Sequence, residues 1–325
     1  MHIRKLQRTG GTSGSSFLVT LPKEWVLARN LKKGDPVVIA EREDGCLIVD
    51  PRLPMGVGKR STEVEIKSNL ARQVTSKYLL GFDKIKVVSS KKITKQQRNE
   101  LKDIIKRFVS LEITEENDHS IMIQCLIDPS RLGVDKAIRR MYLIASRMLD
   151  DALLAYIDGD SELSQSVVER DEEVDRLFFL IVRELRSTIQ YPRMSESMGI
   201  RPVEALDFRL AAQYIERIAD LAEDIAVRVE KPINKEIAEK IQQVCKDVKD
   251  MLDKSVSNLF DFETEKVNRV IQAEKELDGT TARVRKELMA ELEEQSQRHL
   301  YIVDILQRIG EAAKDIADLA LPNHQ

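Results

Sequence analysis

Apolar residues recur every three or four positions along the chain from Asp135 to Leu321. In the first stretch of this region they form one stripe, made up of Ile138, Met141, Tyr142, Ala145, Met148, Leu149 and Ala152. This spacing is that of an α-helix with one buried face. The pattern breaks at 158–160, at 192–202 and at Pro232, and a weaker break near Gly279 also fits a helix interior.

The helical region reads as two copies of one pattern. Val167–Asp175 aligns with Val270–Asp278 at an offset of 103, and Glu216–Ala226 aligns with Gln307–Ala317 at an offset of 91. The difference of 12 equals the length of Tyr191–Pro202, which we interpret as a loop that the second copy lacks. The duplication predicts two three-helix bundles, six helices in all.

Shorter apolar runs mark the part of the chain before this duplication. In residues 1–55 they predict brief strands around one short helix that starts near Pro22, with a hairpin turn at the Asp44-Gly45 step. Residues 60–128 alternate in the order β-α-β-α-β-β, which indicates a small α+β domain. We therefore predict a multidomain, mainly α protein with four parts: 1–55, 60–128, 134–231 and 234–321.

Charge is distributed unevenly along a chain whose net charge is only −3. Residues 1–60 hold 11 Lys or Arg against 6 Asp or Glu, whereas the region after residue 128 holds 29 against 39. A basic first region on an acidic remainder indicates two different kinds of partner.

Cysteine usage and hydropathy favour a cytoplasmic protein. The three cysteines, Cys46, Cys125 and Cys245, are far apart and form no CxxC pair, which argues against a disulfide framework and a zinc ribbon. No apolar run approaches the roughly 20 residues that a membrane helix needs, and the N-terminus lacks the apolar stretch of a secretory signal.

Acidic residues four apart are the candidate chemistry of the helical region. Each copy carries them on two helices: Asp171, Asp175, Glu216, Asp220 and Asp224 in the first, and Glu274, Asp278, Glu311 and Asp315 in the second. Residues four apart share a helix face, so the carboxylates repel one another unless a cation binds between them. A solvated acidic face is the competing interpretation, and the periodicity leaves both open.

Enzymatic chemistry has little support in the sequence. No nucleophile, histidine base or glycine-rich phosphate loop accompanies the acids. A ferritin-like di-iron site needs two Glu-x-x-His pairs, and the sequence holds only one, Glu116 with His119. We predict that the protein is not an enzyme.

The sequence from 135 to 321 resembles the PhoU family, whose repeats carry a Glu-Arg-Ile-Gly-Asp signature. The corresponding residues here are Glu216-Arg217-Ile218-Ala219-Asp220 and Gln307-Arg308-Ile309-Gly310-Glu311. The resemblance implies negative regulation of phosphate uptake and iron or zinc bound by Asp171, Asp175, Glu216, Asp220, Glu274, Asp278 and Glu311. The second copy departs from the signature at Gln307 and Glu311, although Glu311 and Asp315 restore an ExxxD motif one turn later.

Residues 3–50 resemble the SpoVT/AbrB-type swapped-hairpin DNA-binding domain, in which two chains interleave their strands. The resemblance rests on Arg4-Lys5, the Gly10–Ser16 turn, Leu21–Trp25 and Leu31–Asp35. It implies a homodimer that contacts DNA phosphates through Arg4, Lys5, Arg8, Ser15, Lys23 and Arg29. The chain departs from many members of that family at Val26-Leu27, where they carry adjacent arginines.

The two resemblances together predict a PhoU-type transcriptional regulator of phosphate uptake that binds DNA as a homodimer, as archaeal PhoU-like regulators do. The alternative is an adaptor in which the N-terminal domain only dimerises and the helices dock on a phosphate ABC transporter ATPase. The sequence identifies neither the metal nor the role of residues 60–128.

Overall fold

The computed structural model describes residues 3–9, 16–41, 45–51, 60–67, 69–126, 133–290 and 296–321. The chain divides into two compact units, Met1–Arg60 and Ser61–Gln325. None of the described helices is long and apolar enough to cross a lipid bilayer.

The described residues of the first unit form two short hairpins and one helix. Strands β1 (Gln7–Thr9) and β2 (Ser16–Leu18) pair antiparallel, helix α1 (Lys23–Ala28) follows Pro22, and strands β3 (Val38–Glu41) and β4 (Leu47–Asp50) form the second antiparallel pair. The short strands, the helix after Pro22 and the second hairpin confirm the sequence prediction. The turn residues Glu43 and Asp44 lie outside the described residues.

The described part of the first unit has almost no hydrophobic core within one chain. Every apolar side chain described in it is at least partly exposed, and Phe17 and Leu47 are 67% and 66% exposed. Other exposed apolar residues of the unit are Ile3, Leu6, Leu18, Val19, Leu27 and Ile39. Burying such residues is the main favourable term in folding, so this unit depends on further contacts for its stability.

The second unit begins with the predicted β-α-β-α-β-β region. Its elements are β5 (Ser61–Glu65), α2 (Leu70–Leu79), β6 (Lys84–Val88), α3 (Lys95–Lys106), β7 (Leu111–Glu116) and β8 (Ser120–Cys125). The sheet order is β5-β6-β8-β7; β5 and β6 are parallel and the other pairs antiparallel. Thr94 caps α3, because its hydroxyl accepts from the Gln97 N–H (3.2 Å) while its own N–H donates to Gln97 Oε1 (2.9 Å).

Helices make up the rest of the second unit. They are α4 (Val134–Asp158), α5 (Ser161–Gln190), α6 (Pro192–Met198), α7 (Pro202–Ala226), α8 (Lys235–Asn258), α9 (Thr264–Ala290) and α10 (Ser296–Leu319). Helices α4, α5 and α7 pack on one another, as do α8, α9 and α10, and the two sets meet through α7–α10 and α4–α8 contacts. The six long helices confirm the predicted duplication and fold class.

One detail of the sequence prediction needs correction. The stretch Tyr191–Pro202, interpreted as a loop, contains the short helix α6, which starts at Pro192 because proline is favoured in a first helical turn. At Gly279, where the sequence left both a weak break and a helix interior open, the chain is helical, within α9. The sharp break that does occur in the first copy is at Gly159, whose φ of 69° ends α4 in the left-handed region.

A buried arginine joins the α+β region to the helices. The Arg183 side chain on α5 is only 3% exposed. Its guanidinium donates to the Tyr78 carbonyl (2.7 Å), the Phe82 carbonyl (2.9 Å) and Asp83 Oδ1 (2.8 Å). It thus pairs with Asp83, lies 4.0 Å from the buried carboxylate of Glu184, and donates to two carbonyls at and just beyond the C-terminal end of α2, of which that of Tyr78 also accepts from the Gly81 N–H.

We expect Arg183→Met to lower the free energy of unfolding by about 3 kcal/mol, because it removes the cation that pairs with Asp83 and lies beside the buried carboxylate of Glu184. Arg269→Met is the control, since Arg269 forms an exposed ion pair with Glu265 and its loss should cost less than about 0.5 kcal/mol. Urea unfolding followed by circular dichroism measures both. Equal, small effects would contradict a docking role for Arg183.

Candidate functional site

The acidic residues of the first copy face one another across α5 and α7. Asp171 and Asp175 lie on α5, and Glu216 and Asp220 lie on α7. The two helices pack through buried neighbours of these acids such as Val174 and Ala219. Asp171, Asp175 and Glu216 are half-buried and Asp220 is exposed, so the acids line the edge of the helix interface.

These carboxylates perturb one another. Burial raises the pKa of Asp171 to about 7, and the charges of Glu223, Asp220, Asp175 and Glu216 add to the rise. Burial, together with Asp220 and Asp175, also raises the pKa of Glu216 to about 7. The pKa values of Asp175, Asp220 and Glu223 are raised as well, with burial the largest cause for each. Without a bound cation, ionisation of these carboxylates is therefore energetically unfavourable.

Nearby cations relieve only part of this repulsion. The Arg107 guanidinium on α3 opposes the rise in the Asp175 pKa, and Arg217 opposes it at Asp220. Gln213 Nε2 donates to Glu216 Oε2 at 2.6 Å. The possible metal ligands are therefore all oxygens, and neighbouring cations neutralise only part of their negative charge. Such a set of ligands suits a metal cation.

The acids do not yet form a closed coordination sphere. Across the part of the chain that the structure describes, no three His, Cys, Asp or Glu side chains come close enough together to hold a metal ion. The helices fix the positions of Asp171, Asp175, Glu216 and Asp220, and binding would require the side chains to turn towards a common point. The chemistry of the first copy fits a cation, and its present side-chain geometry does not.

The second copy has acquired protein partners for its acids. Gln307, which replaces the first acid of the signature, donates through Nε2 to Asp278 Oδ1 (3.2 Å) and accepts from Arg285 (2.5 Å) and the Thr281 hydroxyl (3.2 Å). Such neutral and cationic partners take up the bonding capacity that a metal would use.

The remaining acids of the second copy lie near a lysine and a tyrosine. Lys314 forms an ion pair with Asp318 at 2.7 Å, and this pair raises the Lys314 pKa. The charges of Asp315 and Glu274 raise it further. Burial, then the charge and hydrogen bond of Asp315, raises the pKa of Tyr214 on α7. Glu311 lies on the same helix, α10. The first copy is therefore the stronger candidate for a cation site.

Sequence reasoning placed Asp224 in the acidic cluster and missed Glu223 and Arg107. In the structure Asp224 has other partners: it pairs with Arg228 (2.5 Å) and accepts from the Tyr301 hydroxyl (2.9 Å). Glu223 faces the cluster instead, as its effect on the Asp171 pKa shows. A spacing of three residues from Asp220 is also compatible with one helix face, so periodicity contained this signal. Arg107 lies on another element, and no sequence spacing links it to Asp175.

The predicted DNA-contacting side chains are exposed where they are described. Arg4 and Lys5 precede β1, and Arg8 lies within it. Lys23 begins α1 and Arg29 follows its last residue. Ser15 lies outside the described residues. The five cations are accessible to an anionic partner.

Comparisons with known proteins agree with this architecture. A family profile described as the PhoU domain matches residues 138–229 and 241–320, together more than half of the chain. A second, described as antidote-toxin recognition MazE, bacterial antitoxin, matches residues 12–54. A search of curated proteins found no match.

Two solved structures are similar to the chain. PhoU from Pseudomonas aeruginosa is 19% identical, with a TM-score of 0.43, 57% of this chain covered and 93% of that one. The phosphate transport system regulatory protein PhoU from Streptococcus pneumoniae is 18% identical, with a TM-score of 0.49, 57% of this chain covered and 91% of that one.

The raised pKa of Asp171 predicts a pH-dependent cost. Between about pH 4 and 7 the folded protein holds this proton more tightly than the unfolded chain, so the stability it contributes is present at low pH and is lost as pH rises through 7. In metal-free protein, the gain in stability from Asp171→Asn should therefore grow by roughly 1–2 kcal/mol between pH 4.5 and 8, allowing for solvent screening.

Thermal unfolding in buffers containing a chelator measures this difference. Asp103→Asn, which removes an exposed carboxylate of α3 outside the cluster, is the matched control and should not reproduce the trend. A gain from Asp171→Asn that is the same at both pH values would show that the acids do not repel one another in solution.

Proposed function

The chain belongs to the PhoU family of regulators and carries a MazE/AbrB-type N-terminal domain, and from this we propose that it is a transcriptional regulator of phosphate uptake. It binds DNA through Met1–Arg60 and a metal cation between α5 and α7, and it acts in the cytoplasm. The observation that carries the proposal is that one chain has both exposed N-terminal cations and a cluster of acids whose negative charge is only partly neutralised.

Dimerisation of the first unit accounts for its exposed apolar residues. Two copies that interleave their hairpins would bury side chains such as Phe17 and Leu47, which one chain leaves in water. A two-fold dimer would also present the cations Arg4, Lys5 and Arg8 twice. That arrangement suits two half-sites on a DNA duplex. Homodimerisation is therefore part of the proposal.

We expect the triple variant Arg4→Ala, Lys5→Ala, Arg8→Ala to weaken DNA binding at low salt by at least tenfold and to reduce the dependence of affinity on salt concentration. Each lost phosphate contact removes about 0.9 from the slope of log K against log salt. Fluorescence anisotropy on labelled DNA from upstream of the protein's own gene gives both quantities.

The control for this experiment replaces three exposed lysines of the second unit, Lys67, Lys92 and Lys235, with alanine. This variant should bind like the wild type. Absence of DNA binding by the wild type at low salt, or weak binding that salt does not change, would reject the DNA-binding function and favour the adaptor.

The metal part of the proposal concerns the first copy. Asp171, Asp175, Glu216 and Asp220 would supply carboxylate oxygens to iron or zinc. A bound cation would supply positive charge that neutralises these acids and links α5 to α7. The protein's own contribution is to hold four carboxylates on two packed helices, where their mutual repulsion already favours a cation.

We expect Glu216→Gln, Asp220→Asn to reduce bound iron or zinc at least tenfold relative to wild type. The matched control is Glu311→Gln, Asp315→Asn, which changes the corresponding motif of the second copy. This variant should retain the metal, because residues near that motif already have hydrogen-bond or ion-pair partners within the protein. Elemental mass spectrometry after anaerobic reconstitution measures the content. Wild-type protein without metal after reconstitution, or equal loss in both variants, would contradict the assignment.

An adaptor function is the second candidate, and an exposed apolar stripe on α7 favours it. Val203, Leu206 and Leu210 recur at helical spacing on α7 and are all largely exposed. Such a stripe suits docking on another protein, and the phosphate ABC transporter ATPase is the partner this reading implies. The DNA-binding measurement above separates the two candidates. Neither candidate gives the chain a catalytic activity.

A further inference from the structure

A half-open cavity of about 840 Å³ lies between the α+β region and the helices, inside the unit Ser61–Gln325. Helix α3 and strand β7 line one side, and α4 and α5 line the other. The lining is mainly apolar and includes the buried side chains of Phe108, Leu111, Leu177 and Leu180. Its size falls in the range of sites for small organic molecules, roughly 300–1,000 Å³.

Cations outnumber acids around this cavity. Lys102 and Lys106 of α3, Arg140 of α4 and Arg176 of α5 line it, against Glu112 and Glu173. Arg140 pairs with Glu173 at 2.5 Å, and Lys106 pairs with exposed Asp103 at 3.1 Å. Within the described part of the chain, Lys102 and Arg176 form no ion pair.

We propose that this cavity binds a small amphipathic anion, an apolar body with a carboxylate or phosphate head. The apolar body would lie against Phe108, Leu177 and Leu180, where contact with apolar side chains removes its surface from water. The head would lie between Lys102 and Arg176, because charge-assisted hydrogen bonds are the strongest that such cations make. Arg176 Nε donates to the Glu172 carbonyl (3.0 Å), but a neutral apolar molecule would leave both cations without an ion-pair partner.

The proposal goes beyond the proposed function and does not depend on it. Binding here needs neither DNA nor a metal, since no cavity-lining residue belongs to the acidic cluster or to the first unit. The cavity nevertheless shares α5 with Asp171 and Asp175, and Arg107, whose charge acts on Asp175, directly follows the cavity residue Lys106. An occupant would therefore hold α3 against the helix that carries half of the acids.

Isothermal titration calorimetry on the full chain tests the proposal with three probes of equal chain length: sodium decanoate, decyl phosphate and decyltrimethylammonium. We expect the anions to bind once per chain and the cation to bind at least tenfold more weakly. The tighter of the two anions identifies the preferred head group. Failure of both anions to bind at millimolar concentration, or equal binding of the cation, overturns the proposal.

Two variants locate the binding. Lys102→Glu, Arg176→Glu should weaken anion binding at least tenfold, whereas Lys95→Glu, Lys136→Glu, which reverses two exposed cations outside the cavity, should not. Val109→Trp places a large ring in the cavity from its half-buried loop position and should also abolish binding. A wild-type unfolding transition in each variant excludes loss of fold.

The outcomes of the variants are distinct. Loss of binding in Val109→Trp with no effect of charge reversal would show a site for neutral apolar bodies and overturn the anion assignment. Anion binding that neither variant weakens would place the site elsewhere, for example on the exposed apolar residues of the first unit, and would overturn the proposal altogether.

Discussion

The buried guanidinium of Arg183 is the interaction on which the arrangement of the second unit depends. An unpaired charge at this depth would be unstable, so Asp83 and the carbonyls at the end of α2 must remain in place around it. That requirement fixes the α+β region on α5. The same helix carries Asp171 and Asp175 about two to three turns earlier and lines the cavity beside α3. One helix thus connects three features that would otherwise be independent.

The duplication explains why the two acidic motifs differ in what they contact. The helices pack closely at equivalent positions: a Cβ on Gly310 would lie 2.3 Å from Leu277 Cδ2, so an alanine there, as at Ala219 of the first copy, would require the end of the Leu277 side chain to move. The charges around these positions have diverged. In the second copy Gln307 and Lys314 supply hydrogen bonds and positive charge, while in the first copy the acids mainly face other acids. The two copies are alike in how their helices pack, whereas repulsion between carboxylates is concentrated in the first copy.

Local periodicity was sufficient to predict most of the fold. The offsets of 103 and 91 locate equivalent helices, and the order β-α-β-α-β-β follows from runs a few residues long, including the Thr94 cap. The same reasoning failed where the answer depends on tertiary contacts. It could not bring Arg107 to Asp175, bury Arg183 against Tyr78, or show the cavity, because these pairs are separated by about 70 to 105 positions in sequence. Helix α6 was missed because a short segment between two prolines has no measurable period.

A transcriptional regulator of phosphate uptake must occupy chromosomal sites upstream of the genes that it controls. Chromatin immunoprecipitation of the tagged full-length chain, in cells grown with ample and with limiting phosphate, measures that occupancy. The account predicts enrichment upstream of phosphate-uptake genes that changes with phosphate supply. A protein that is present in both conditions but enriched at no site in either would contradict it.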